Sequence, residues 1–157
     1  MSEERLQRIV QNAFMQAQSR QHEYVTLEHL LVSLLDDQDI AQSLAEMNIS
    51  VENITNDTTT FLDTEIERLE EDVETAKKTI TLERVFQRAV AQSYFVGRST
   101  PEPFDVLISI LSETNSHAAF FCNQHGLTKE AISEALMETL REQQEAVTEG
   151  GAQQRGN

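Results

Sequence analysis

Four residues with chemical capability fall within eight positions: His22, Glu23, Glu28 and His29, in the stretch HEYVTLEH. Imidazole and carboxylate together are what a zinc site or a general acid–base pair is made of. The spacing argues against both. Glu28 and His29 are adjacent, so on a helix they project about 100° apart, and only one of them can face the loop that carries His22. A metal site would need three or four converging ligands. A metal-binding domain built on His22, Glu28 and His29 is therefore the alternative reading here, and a docking surface is the leading one. Cys122 and His125 sit at i, i+3, but nothing orients that imidazole toward the thiol. Cys122 follows the apolar run AAFF and reads as a core thiol. His117 and His125 stand alone. No G-x-x-x-x-G-K or H-E-x-x-H occurs. The expectation is a protein that is not an enzyme and holds no cofactor or metal.

The elements that must position these residues follow from the apolar pattern. Leu6, Ile9, Val10, Ala13, Phe14 and Ala17 form one stripe at helical spacing. Thr26 stands as an N-cap before Leu27, Leu30, Leu31, Leu34 and Leu35. A third short helix is expected over about 39–47. A fourth starts near Ser50 and carries Val51, Ile54, Phe61 and Leu62. Placing Leu6 over Leu82 without gaps gives eight identities between residues 6–35 and 82–111: Leu6, Arg8, Gln11, Ala13, Gln16, Leu31, Ser33 and Leu35. After residue 40 the match resumes with a small slip. Pro101 and Pro103 open helix six, Gly126 ends helix seven in a left-handed turn, and Thr128 caps helix eight, which is expected to end near Gln144. The fold class is thus all-α, two tandem four-helix repeats with pseudo-twofold symmetry. Repeat one spans about 1–62 and repeat two about 79–145. Between them lies an acidic segment, about 63–78, expected as an exposed, mobile linker. Residues 146–157, with three glycines, read as a disordered tail or linker.

Composition narrows the partners. The 157 residues carry 27 acids against 12 bases, a net charge of −15. Phosphate recognition needs clustered Lys and Arg, so no nucleic acid and no anionic membrane surface is expected. No apolar run of eighteen residues occurs and MSEERLQRIV is not a signal peptide, so the expected location is cytoplasmic. Partners with basic patches suit this charge. Glu28, at the second position of its helix, gains about 0.3–1 kcal/mol from the helix dipole whatever else it does. Glu23 sits before the cap, in a loop, with no such structural role. The two acids are expected to form an exposed anionic spot at the helix-two entrance.

The stretch AFMQAQSRQHEYVTLEHLLVSLL, with Ala17, His22, Val25, Glu28, His29, Leu30, Leu31, Leu34 and Leu35 in the pattern A-x-x-x-x-H-x-x-[VIM]-x-x-E-H-L-L-x-x-L-L, resembles the Clp N-terminal domain, the double four-helix module at the front of Clp-family unfoldases. LERVFQRAVAQ followed by VLISIL resembles the matching second repeat, and the runs HEYVTLEH and FQRAV look most like ClpA-type members of the family. Ser99–Asp105 departs from the family's usual Gly- and Asn-containing loop. The resemblance covers about residues 1–145. It implies a domain tethered above an ATPase ring, receiving a ClpS-type adaptor and some protein substrates directly. It also implies adaptor-binding roles for Glu23, Glu28, Thr79 and Arg84. Thr79 is equally an N-cap for helix five. Arg84 is equally one half of an ion pair, whose acid must come from another helix, because Ile80, Thr81, Gln87 and Arg88 occupy the positions three and four residues away. A stand-alone chain of this type would instead regulate, or compete for, the adaptor.

Overall fold

Each of the two repeats places one nearly all-apolar helix at the centre and wraps shorter amphipathic helices around it. In the computed structural model the backbone is described for residues 2–155 and the side chains for residues 3–146. Eight helices are present among them: α1 (Ser2–Ser19), α2 (Leu27–Asp36), α3 (Gln38–Glu46), α4 (Val51–Thr64), α5 (Ile80–Phe95), α6 (Pro103–Leu111), α7 (His117–Gln124) and α8 (Lys129–Arg155). Two residues each of β1 (Tyr24–Val25) and β2 (Lys77–Lys78) pair in parallel. The all-α reading with two four-helix halves therefore holds, with one short strand pair added.

α2 is buried along its length from Leu27 to Leu35. That is why its sequence is apolar on all sides instead of striped. Leu30, Leu31 and Leu34 are fully inside, as are Leu107 and Ile110 of α6. Each such side chain contributes about 1.5–3 kcal/mol of burial free energy. The two central helices are fixed by the same device. Ser33 donates to the carbonyl of Ile9 at 2.5 Å, and Ser109 donates to the carbonyl of Val85 at 2.8 Å. These bonds lie 76 residues apart, so the Ser33/Ser109 identity has a structural cause: a buried hydroxyl that ties each central helix to the first helix of its own half.

The slip in the repeat is also localised. Up to α2 and α6 the offset is 76; from the third helix of each half it is 78. Asn48 and Gly126 both take a left-handed backbone, at φ 62° and 84°. Ser50 and Thr128 both accept a backbone N–H at the start of the next helix, and Ile54 and Ile132 are both buried.

Two boundaries differ from expectation. α8 continues to Arg155 rather than ending near Gln144. The tail expected over 146–157 falls mostly on residues whose side chains lie outside the described set. The segment between the halves keeps its acids outward, yet it is fastened to the α1–α2 turn. Leu69 N–H donates to the carbonyl of Gln21 at 2.8 Å, Lys77 N–H to the carbonyl of Glu23 at 2.9 Å, and Arg68 reaches Gln21 Oε1 at 2.6 Å. Ala76 is buried and Val73 packs against the core. Val73 supplies an anchor, and the helical spacing of Ile66, Leu69 and Val73 forms no helix, since α4 ends at Thr64.

Candidate functional site

The helix-two entrance has an inner and an outer layer. The inner layer is a histidine pair. His22 and His29 are both buried, and His22 Nδ1 lies 2.8 Å from His29 Nε2. The backbone N–H of Thr26 donates to His29 Nδ1 at 2.9 Å. An N–H can only donate, so His29 carries its proton on Nε2 and gives it to His22 Nδ1. Burial pushes His29 down to about 3, with the nearby His22 and Arg20 adding to the shift. His22 is lowered as well, chiefly by burial and then by Arg20. Both rings are neutral. The position of His29 is the third of its helix, where it reaches back to the cap residue as a Glu or Gln does in a capping box. In the other half, Asp105 accepts from the N–H of Glu102 at 2.8 Å and pairs with Arg98. An ion pair there takes the place of the histidines here.

The expectation that Glu28 points outward is corrected. Its residue is only 7% exposed, and Oε2 accepts the backbone N–H of Ala118, at the second position of α7, at 3.0 Å. A carboxylate there neutralises the positive end of a helix. Burial nevertheless raises the Glu28 pKa, while the Ala118 bond and the nearby His117 pull it the other way. Glu23 is on the surface as expected, but Lys77 Nζ stands 3.6 Å from its Oε1. The two acids therefore do not form one exposed anionic spot. His22, Glu28 and His29 are not brought together either, since Glu28 turns to α7 and the histidines turn to each other. Among the described residues no three His, Cys, Asp or Glu side chains could hold a metal ion, so the metal-binding alternative loses its proposed ligand set. Cys122 is buried, which raises its thiol to about 12 and makes it inert as a nucleophile.

The outer layer is a cleft of about 530 Å³ lined by the starts of three helices: Thr26, Leu27 and Glu28 of α2, Thr79 and Thr81 around the start of α5, and Ser116 and His117 of α7. Arg84 and the turn from Ser112 to Asn115 complete it. Three of the four residues singled out from sequence, Glu28, Thr79 and Arg84, thus line one cavity, and Glu23 lies outside it. Thr79 caps α5 by accepting from Leu82 N–H at 3.2 Å, and its hydroxyl donates to the carbonyl of Val25 at 3.1 Å. Arg84 finds its acid outside its own helix. Glu113, just after α6, takes Arg84 through two bonds, of 3.1 and 2.5 Å, and Arg88 at 2.7 Å. These guanidinium bonds, Arg84 foremost, hold the Glu113 carboxyl down to about 2. Half of the Arg84 side chain remains exposed, so its outer edge is open to a partner.

Sequence reasoning missed Glu113, Ser116 and His117. Glu113 had a signal: it sits 76 residues after Asp37, which accepts Arg5 at 2.7 Å in the first half. Ser116 had the signal of an N-cap. For His117 there was none.

A further apolar groove, about 340 Å³, runs between α1 and α5 and is lined by Val10, Phe14, Leu82 and Phe86 with Lys78 and Glu83 at its rim. No helix among the described residues is long and apolar enough to cross a membrane.

Comparison with known proteins gives a consistent picture. The family model of the Clp repeat (R) N-terminal domain matches residues 1–125. A protein described as a ClpA homolog, from Fuscovulum blasticum, is 32% identical over 126 residues. The match covers 79% of this chain and 16% of that protein, so the chain spans only a small part of the curated relative's length. Among solved structures, the Hsp104 N-terminal domain from Candida albicans is similar at a TM-score of 0.74 and 13% identity, covering 85% of this chain and 87% of that one. The N-domain of ClpV, solved in complex with a VipB peptide, is similar at a TM-score of 0.63 and 19% identity, covering 83% and 80%. At these identities the structural likeness speaks for the fold.

Proposed function

The chain belongs to the Clp repeat N-terminal domain family, and from that premise we propose that it is a docking module of a ClpA-like unfoldase, receiving a ClpS-type adaptor and protein substrates for ATPase modules on a longer chain. It acts by binding, in the cytoplasm, and not by catalysis. The observation that carries this reading is the cleft at the helix-two entrance. It is wide, open and lined by hydroxyls, an exposed guanidinium edge and three helix N-termini, which is chemistry for gripping polypeptide polar groups. A relative of the same fold, the ClpV N-domain, has been solved with a bound peptide, which supports a protein partner in general.

The roles follow from exposure. Arg84 and Thr81 offer donors at the cleft wall. Glu23 supplies an outlying negative charge that a basic partner group would take from Lys77. Glu28 acts as a positioning residue, because it holds the start of α7, and with it Ser116 and His117, against the cleft. The test is calorimetric titration of the chain with a ClpS-type adaptor. Arg84→Ala and Glu23→Lys should each weaken binding by roughly three- to tenfold, the range of a rim charge. If neither changes the affinity, the adaptor docks elsewhere, with the α1–α5 groove next in line.

A further inference from the structure

The run AAFFC of α7 divides between core and surface: Phe120 turns outward, and Phe121 packs its inner side against the core. Ala118, Ala119 and Cys122 are buried, whereas Phe120 is 52% exposed and Phe121 is half-buried. Together with Phe61 of α4 and His117 they form a continuous row of rings. Phe120 meets Phe121 at 5.8 Å edge to face, Phe121 meets Phe61 at 5.8 Å, and Phe61 stacks on His117 at 4.4 Å with 26° between the planes. His117 also lines the docking cleft, so the row is the cleft's continuation onto the surface.

The row crosses the two halves, with Phe61 in the first and His117, Phe120 and Phe121 in the second. With the offset of 78 that aligns Asn48 with Gly126 and Ile54 with Ile132, the positions of His117, Phe120, Phe121 and Phe61 correspond to Asp39, Gln42, Ser43 and Thr139. None is aromatic, and α3 and α8, which carry them, do not pack together as α4 and α7 do. Phe61 and Phe121 accordingly fill the α4–α7 contact, while the exposed His117 and Phe120 extend the row onto the surface. Charge is also distributed around the row. Asp57 lies one helical turn before Phe61 on α4, Glu65 caps α4 one turn after it, and the buried Glu28 accepts the N–H of Ala118, next to His117. Asp57 is engaged by His125 at 2.7 Å yet keeps 43% of its side chain exposed. Ring faces carry negative potential, and the carboxylates at the border of the row add to it. A planar guanidinium suits such a surface better than a compact ammonium, since it stacks and still donates at its rim.

We propose that the row Phe61–His117–Phe120–Phe121 is an arginine-docking ridge, which takes an arginine side chain of the polypeptide bound in the adjacent cleft. The inference rests on the docking reading and adds the partner's chemistry to it. The probes are three capped Gly/Ser peptides containing one arginine, one lysine or one citrulline, titrated into the chain at physiological ionic strength while aromatic ring protons are followed by NMR. The arginine peptide should shift the Phe61 and His117 rings, the lysine peptide should bind more weakly, and the neutral citrulline peptide should not bind. Phe61→Leu and Phe120→Gln should each weaken the arginine peptide by about two- to fivefold. Phe120→Gln, which installs the other half's residue at an exposed position, should leave the thermal midpoint close to that of the parent. Equal binding by arginine and lysine peptides with unmoved rings would overturn the ridge, and so would a loss of fold in Phe120→Gln. If the arginine peptide does not bind while Arg84→Ala still loses adaptor affinity, the ridge fails and the cleft stands. If the ridge binds arginine and neither Arg84→Ala nor Glu23→Lys affects the adaptor, the cleft assignment fails instead.

Discussion

At the scale of single residues, Glu28 and the histidine pair show buried polar groups used for structure beside a site used for binding. Removing an acceptor from a buried N–H costs about 1–3 kcal/mol. Glu28→Ala, which orphans the Ala118 N–H, should therefore lose about that much stability in urea titration. Glu28→Gln keeps an acceptor and removes a charge that burial disfavours, so it should cost far less at neutral pH. The histidines set an acid sensitivity of definite sign. Their folded values lie below the ordinary 6.5, His29 at about 3. From 6.5 downward the unfolded chain thus binds more protons than the folded one, and stability falls as pH falls through that window. Glu28 opposes this, because its raised value lets the folded state take a proton first. Glu113, held down to about 2, removes stability only below its ordinary 4.5. Urea midpoints measured between pH 7.5 and 5 should therefore decline. His29→Asn, whose carbonyl can still accept from Thr26, should flatten that decline; an unaltered slope would mean the histidines are not its source.

At the scale of elements, the strap between the halves and the start of α5 act as one piece. Thr79 follows β2, caps α5 and donates to the carbonyl of Val25 in β1. Thr79→Ala removes a cap and a link between the halves, and should cost about 1–2 kcal/mol, while Thr79→Ser should recover most of it. The same substitution should raise hydrogen exchange at the N–H groups of Leu69 and Lys77, which fasten the strap. This element also marks where the sequence stops being informative. Helix stripes and caps were legible because each depends on residues within a turn of one another: Thr26, Thr79, Gly126 and Thr128 all stand where local chemistry placed them. The strap was not legible, because its order comes from bonds such as Leu69 to Gln21, 48 positions apart. Its acids report solvent exposure correctly and say nothing about what the backbone beneath them does. The direction of Glu28 failed for the same reason. Helix position predicted a favourable dipole, but the helix that captures it, α7, lies 90 residues along the chain.

At the scale of the whole molecule, the duplicated unit has been divided between holding the fold and meeting partners. Both halves keep the serine tie, the left-handed turn and the buried isoleucine. They differ in the polar and aromatic residues around their openings: an ion pair of Arg98 and Asp105 where the first half has histidines, and His117, Phe120 and Phe121 where the first half has Asp39, Gln42 and Ser43. Over this scaffold lies a net charge of −15, and the acids of the strap stand exposed. Exposed charge of this kind contributes little to stability, but it sets a long-range field that attracts basic partners. That field is screened over about 10 Å at 0.1 M salt. Association with an adaptor should therefore slow markedly as salt rises, while dissociation, governed by contacts in the cleft, should change little. Stopped-flow measurement of both rates across a salt series separates the two. A dissociation rate that rises as steeply as the association rate falls would place the charges inside the interface, and would shift the binding surface from the cleft to the acidic strap.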